Sequence, residues 1–297
     1  MYSLGAIWVA GALAATPRLD LSSQVPSALP VSTRARGACV GQVDDVHAVA
    51  IVIYGRQRGR SAWGHISLRF LACVNEVFRD VEYESTVVDG TLIDWYAEAF
   101  PEETWYLEPD FLDRQADRLV WFRNESPVDS GLYRDELDKN REVTELWMPW
   151  HGAPALALMN DFDAAYEAQL VDLRSARRID RPRYRALSVN CTVPVRDAAR
   201  ALGVPGEDPD SIFPMVWLRR LADHPELSVV VHPSPGMLYR IQKQTGDLKA
   251  AWSGAPTEVY RPFLRYRLDA DTLEAFRARV SMTAQPLAVE RVISELE

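Results

Sequence analysis

Two stretches of opposite character open the patterned part of this chain. His47 to Tyr54 (HAVAIVIY) is a short run rich in valine and isoleucine, the composition of a strand covered on both faces. After the polar, arginine-rich Gly55 to Gly64, the stretch His65 to Ala72 alternates. His65, Ser67 and Arg69 fall on one side, and Ile66, Leu68 and Phe70 on the other. Phe78 to Val88 predicts a third strand. A hairpin between the first two sets Tyr54 near His65 and His47 near Ala72. At about 3.3 Å per residue, His47 then lies on the order of 20 Å from His65, which removes it from any chemistry there.

Thr91 to Asn140 carries many aromatics and acids without a sustained repeat, and predicts mixed helix and loop. Trp95, Tyr96, Phe100, Trp105 and Tyr106 read as core aromatics, with a substrate groove as the alternative. Val143 to Pro149 predicts a strand. Pro154 to Ala176 predicts a helix, its apolar stripe made by Leu156, Met159, Phe162, Tyr166, Leu170 and Leu173. In Tyr184 to Pro194, Asn190 is a good helix cap and Pro194 is tolerable only within a first turn. Val195, Ala198, Ala199 and Leu202 continue an apolar face to Gly203, which ends the helix. Cys191 therefore falls at its first or second position. Ser211 to Ala222 predicts a helix and Leu227 to His232 a strand; Val259 to Leu268 and Ala270 to Met282 predict a strand followed by a helix. The element mixture is that of an α+β fold.

The 297 residues are 47% hydrophobic and 25% charged, ordinary for a globular protein. A net charge of -9 argues against a nucleic-acid partner. The arginines at 56, 58 and 60, and those between 174 and 185, read as solvated loops or as contacts for an anionic substrate or headgroup. From Leu4 to Ala15 the chain is apolar and small, too short for a bilayer span of ~20 residues but suited to a signal-peptide core. No Lys or Arg precedes Arg18, so a buried N-terminal helix stays open as the alternative. The expected organisation is a signal peptide over 1–14, a tail or tether rich in Pro, Ser and Arg over 15–37, a main domain over 38–245 and an extension over 246–297. The expected location is periplasmic or secreted, with no transmembrane span after cleavage.

Cysteine usage then becomes informative. In an oxidising compartment Cys39 and Cys73 form one possible pair that leaves Cys191 reduced; both also fit as small buried apolar residues. Zinc ligand spacings, a Walker loop, a G-x-S-x-G elbow and a dinucleotide fingerprint are absent from the sequence, so neither metal nor cofactor is expected. Nucleophilic thiol chemistry survives. A thiol at a helix N-terminus sits where partial positive charge favours its thiolate. His65, brought beside it by the fold, is the candidate to take and return the proton.

These residues also carry a family resemblance. Trp63-Gly64-His65-Ile66-Ser67-Leu68-Arg69 resembles the G-H-x-x-L-R block of the Lnb N-terminal periplasmic domain family, and Tyr184 with Asn190-Cys191-Thr192 resembles its Y-x-x-x-x-x-N-C-[ST] block. Arg141 to Trp147 resembles the strand between them. The resemblance spans roughly residues 46 to 203 and implies an α+β fold like permuted papain-like enzymes of the NlpC and LRAT type, an antiparallel sheet with a cysteine-bearing helix packed on it. It implies Cys191 as nucleophile and His65 as base. In papain-like arrangements the third group comes from the next strand, where Tyr83, Glu84 and Ser85 are candidates and Glu84 is favoured. Tyr54 is a candidate oxyanion donor, Arg69 a candidate for a substrate carboxylate or phosphate, Trp63 a cleft-narrowing residue and Asn190 a neighbour of the oxyanion. The expected activity is hydrolysis of an amide or ester in a cell-envelope peptide or lipid. An acyltransferase with the same dyad and a non-catalytic envelope module are the alternatives.

Overall fold

The alternation read from His65 onward separates two unlike faces of one sheet. The structure is a computed structural model, and it describes residues 39, 43–55, 64–87, 90–127, 130–148, 150–175, 177–185, 188, 190–203, 214–221, 228–234 and 280–282. Among the described residues, seven strands lie in the order β4-β3-β2-β1-β5-β6-β7. These are β1 (Asp45–Tyr54), β2 (His65–Val74), β3 (Val77–Val87), β4 (Leu119–Glu125), β5 (Val143–Met148), β6 (Ser228–His232) and β7 (Val280–Met282). The first six pair antiparallel, and β7 joins β6 in parallel. The fold is α+β, with α1 (Gly90–Ala99), α2 (Phe111–Gln115), α3 (Leu132–Asp138), α4 (Gly152–Arg174), α5 (Thr192–Leu202) and α6 (Pro214–Leu221) around the sheet.

One face is apolar. Ile51, Ile53, Ile66, Leu68, Phe70 and Val81 pack there against Met159, Phe162 and Tyr166 of α4 and Val195, Ala198 and Ala199 of α5. That is the stripe spacing of both helices put to use, since an amphipathic helix is stable only against such a surface. The opposite face has a smaller apolar cluster built from Ala50, Val52, Tyr54, Tyr133 and Trp147. It also buries charge: Arg69, Asp80, Glu82 and Glu145 are each no more than 4% exposed. The register sets Tyr54 opposite His65 at one end of β1–β2 and Asp45 opposite Cys73 at the other. His47 lies in a register shift between Val46 and Ala48, and its Nε2 is 3.2 Å from Cys73 Sγ.

Two elements differ from the pattern reading. Leu119–Glu125 is a strand rather than helix or loop, because an apolar run of four residues has too little length to reveal its period. It pairs only with β3 among the described residues. Val280–Met282 is a strand and not the end of a helix. Its assignment comes from backbone pairing to β6, so this stretch completes the same sheet. The predicted strand at Val259 to Leu268 and the leader and tail over 1–37 lie outside the described residues. The aromatics of the Thr91–Asn140 region form a packed cluster around Tyr96, which is buried and touches Trp95, Phe100, Trp105, Tyr106, Phe111 and Phe122. Among the described residues no helix is long and apolar enough to cross a membrane.

Candidate active site

His65 opens β2, and its ring belongs by alternation to the polar face. Cys191 precedes α5, which packs on the apolar face. The end of a sheet is the one place where groups from opposite faces can meet, because no further rung of backbone separates them. There the Cys191 sulfur comes within electrostatic reach of the His65 ring. The Nε2 atom of His65 is turned to Glu84 Oε2 at 3.4 Å, which leaves Nδ1 for the thiol. Glu84 reaches this position because Ser67 is its cross-strand partner, one inward-facing step from His65. Burial pulls the imidazole down, but the Cys191 sulfur and the Glu84 carboxylate outweigh it and push His65 up to about 10. Burial would raise Glu84, but the bond and charge of His65 hold it below the ordinary carboxylate range. The sulfur and the carboxylate together therefore favour the protonated ring.

Gly64 lets the chain enter β2. Its φ is +83°, and a Cβ would lie 2.6 Å from the Tyr54 carbonyl oxygen. No other residue fits both the left-handed backbone and the close approach. On the other side of the dyad, Cys191 is the capping position itself, one residue earlier than the pattern suggests, and Thr192 begins the helix. Asn190 supplies the capping oxygen: its Oδ1 accepts from the Thr192 N–H at 2.9 Å and from the Thr192 hydroxyl. The Val193 N–H donates to the Asn190 carbonyl at 3.1 Å, and Pro194 has no N–H. These amides are committed to the turn, which leaves the Cys191 N–H as the helix-start donor for an oxyanion. Asn190 is buried and acts by shaping this turn.

Three further candidates land differently. Arg69 is buried and holds Asp80 through Nε and Nη2 at 2.7 and 2.8 Å, and Glu145 through Nη1 at 2.5 Å. It is a structural cation, sealed from any substrate anion, because an alternating strand points it into the polar layer. Tyr54 is buried and donates its hydroxyl to Glu82 Oε1 at 2.5 Å, so it is no oxyanion donor. Its ring lies beside His65, with centroids 5.9 Å apart, and under the Arg141 guanidinium. Trp63 lies outside the described residues. Cys39 and Cys73 are joined as a disulfide with Cα atoms 5.5 Å apart, and Cys191 is the free thiol. Among the described residues no group of three or more metal-ligating side chains occurs.

Tyr184 is a site residue that elementary pattern reading does not select. It is 38% exposed, and burial first and the Cys191 sulfur second push its hydroxyl up, so ring and thiol share one region. The strand-like segment around it is fixed from below. Tyr184 N–H donates to the Asp117 carbonyl at 2.6 Å, Arg118 and Arg183 form a bridge, and Gln115 bonds both Ile179 N–H and the Arg177 carbonyl. The available signal was its place in the six-residue spacing before Asn190-Cys191. Glu82 and Arg141, also near the dyad, gave no such signal. No family model, curated protein or solved structure matches this chain.

Proposed function

We propose that this chain is an exported thiol hydrolase of the permuted papain-like type, similar to the Lnb N-terminal periplasmic domain family. The bond cleaved is an amide or ester in a cell-envelope peptide or lipid. One observation carries the reading: a free, partly exposed thiol at a helix start lies within electrostatic reach of an imidazole that faces a carboxylate. This is the nucleophile, base and orienting group that acyl transfer requires. The Cys39–Cys73 disulfide supports an oxidising compartment.

The steps follow from the atoms present. Cys191 Sγ, its proton held by His65, attacks the carbonyl carbon and forms the C–S bond. The oxyanion draws on the Cys191 N–H and the Tyr184 hydroxyl. His65 gives its proton to the leaving amine or alcohol as the C–N or C–O bond breaks, and a thioester remains. Water then loses a proton to His65 and attacks the thioester; the acid departs and the proton returns to sulfur. Glu84 keeps the ring oriented and stabilises its charged form throughout.

Labelling with an electrophilic acyl probe tests this. Cys191→Ala is expected to abolish labelling, and His65→Ala to slow it by about 10²- to 10⁴-fold. Equal labelling of the native protein, His65→Ala and a denatured control overturns the proposal. Loss of the acyl group to water, rather than to an added amine or alcohol, separates hydrolysis from transfer.

A further inference from the structure

Two residues before Glu84 on the same strand face lies Glu82, fully buried and unused by the steps above. Its Oε1 accepts from the Tyr54 hydroxyl and from Ser67 Oγ, each at 2.5 Å. Its Oε2 is buried with no hydrogen-bond partner among the described residues. Among the described residues no cation bonds Glu82 directly. Arg69 spans Asp80 and Glu145, His65 faces Glu84, and Arg141 donates to Glu136 Oε2 and to the Gly55 carbonyl, its Nη2 making no hydrogen bond among the described residues. Glu82 is faced from β1 by Tyr54, from β2 by His65, Ser67 and Arg69, and on its own strand by Asp80 and Glu84. From α3 it is faced by Tyr133, which in turn bonds Glu145 of β5.

A buried carboxylate that receives hydroxyl bonds but no direct bond from a cation is disfavoured beside a second carboxylate. Two such groups settle into one charge and one proton. Glu84, next to the imidazole, is the one that takes the charge.

We propose that Glu82 is a positioning residue for His65, holding the proton of a two-carboxyl pair so that Glu84 alone carries the charge that orients the imidazolium. Loss of the Glu82 proton adds a second buried negative charge, holds the His65 proton more tightly and weakens His65 as the acid that releases the leaving group. Burial, helped by Glu84 and opposed by the Ser67 and Tyr54 bonds and by the Arg69 charge, pushes Glu82 up to about 7, so the change falls in the neutral range. This role presupposes the Cys191–His65 chemistry above.

The test follows the ring resonances of ¹⁵N-labelled His65 by NMR from about pH 5 to about pH 9, in the unmodified protein and in Glu82→Gln. The unmodified protein is expected to show a step in the His65 shifts near pH 7, and Glu82→Gln, neutral at every pH, to lack it. An infrared difference spectrum of the unmodified protein across the same range is expected to show a buried carboxylic acid becoming a carboxylate, and needs no variant to fold. A step that persists in Glu82→Gln, or an unmodified protein with neither the step nor the infrared change, overturns the assignment. Iodoacetamide alkylation of Cys191 run in parallel keeps the two ideas apart. A rate unaffected by His65→Ala removes the dyad, whereas a His65-dependent rate without the NMR step removes only the Glu82 role.

Discussion

On the proposed chemistry, Tyr184 is the residue that can separate two tasks of a thiol site, making a reactive sulfur and stabilising the oxygen that becomes negative. Its hydroxyl is within electrostatic reach of Cys191 and is not among the groups that act on the imidazole. Tyr184→Phe is therefore expected to lower turnover of an ester or amide probe about 10²-fold, the cost of one oxyanion donor. Alkylation of Cys191 by iodoacetamide develops no oxyanion, so its rate should stay within about twofold of the unmodified protein. Equal losses in both assays assign Tyr184 to holding the sulfur instead. Tyr54 and Arg69 show the converse: each has the chemistry to bind substrate and neither has access, since both are consumed by buried carboxylates.

At the scale of elements, the site is the junction between the last rung of a hairpin and the first turn of a helix. Gly64 controls the hairpin side, because Tyr54 and His65 face each other at that rung. In Gly64→Ala the added methyl meets the Tyr54 carbonyl and the backbone is held at a φ that alanine disfavours. A loss of about 1–3 kcal/mol is expected in urea unfolding, with slowed Cys191 alkylation as the rung shifts. Unchanged alkylation would show that His65 keeps its place without the glycine. The helix side is held by Asn190, whose side chain and carbonyl together consume the amides of Thr192 and Val193. The disulfide lies at the opposite end of β2, where Cys73 pairs across from Asp45, so it fastens the sheet without touching the dyad.

For the molecule as a whole, the polar layer makes stability depend on pH in both directions. Glu82 binds its proton more tightly folded, at about 7, than a free carboxyl does. Its contribution is complete below the ordinary carboxyl range and is lost as pH rises through about 7. Burial raises Glu145, but Arg69 and then His232 more than offset it and hold it down to about 2, so its contribution is complete above the ordinary range and lost as pH falls towards that value. Urea midpoints are expected to fall from about pH 5 to about pH 8 by the equivalent of on the order of 1–3 kcal/mol. Glu82→Gln is expected to make this limb shallower, leaving the part above about pH 6.5 that His65, raised to about 10, contributes, and to leave the acid limb unchanged. An unchanged alkaline limb in the variant would place the sensitivity in another group.

The order and kind of most elements were legible in the sequence, because side-chain period is a local property. Alternation from His65 to Phe70 sorts two faces, hairpin spacing puts His47 at the wrong end, and Asn190 with Gly203 brackets the cysteine helix. What tertiary structure alone decided is everything that depends on which surfaces meet. Leu119–Glu125 and Val280–Met282 are strands by virtue of the partners they pair with, since runs this short have no readable period. Arg69 is a sealed cation only because Asp80 and Glu145, 11 and 76 residues away, converge on it. The same holds for Glu82: a glutamate on a strand looks solvated until the packing buries it completely. Sequence names the groups that can do chemistry, and burial decides which of them are left free to do it.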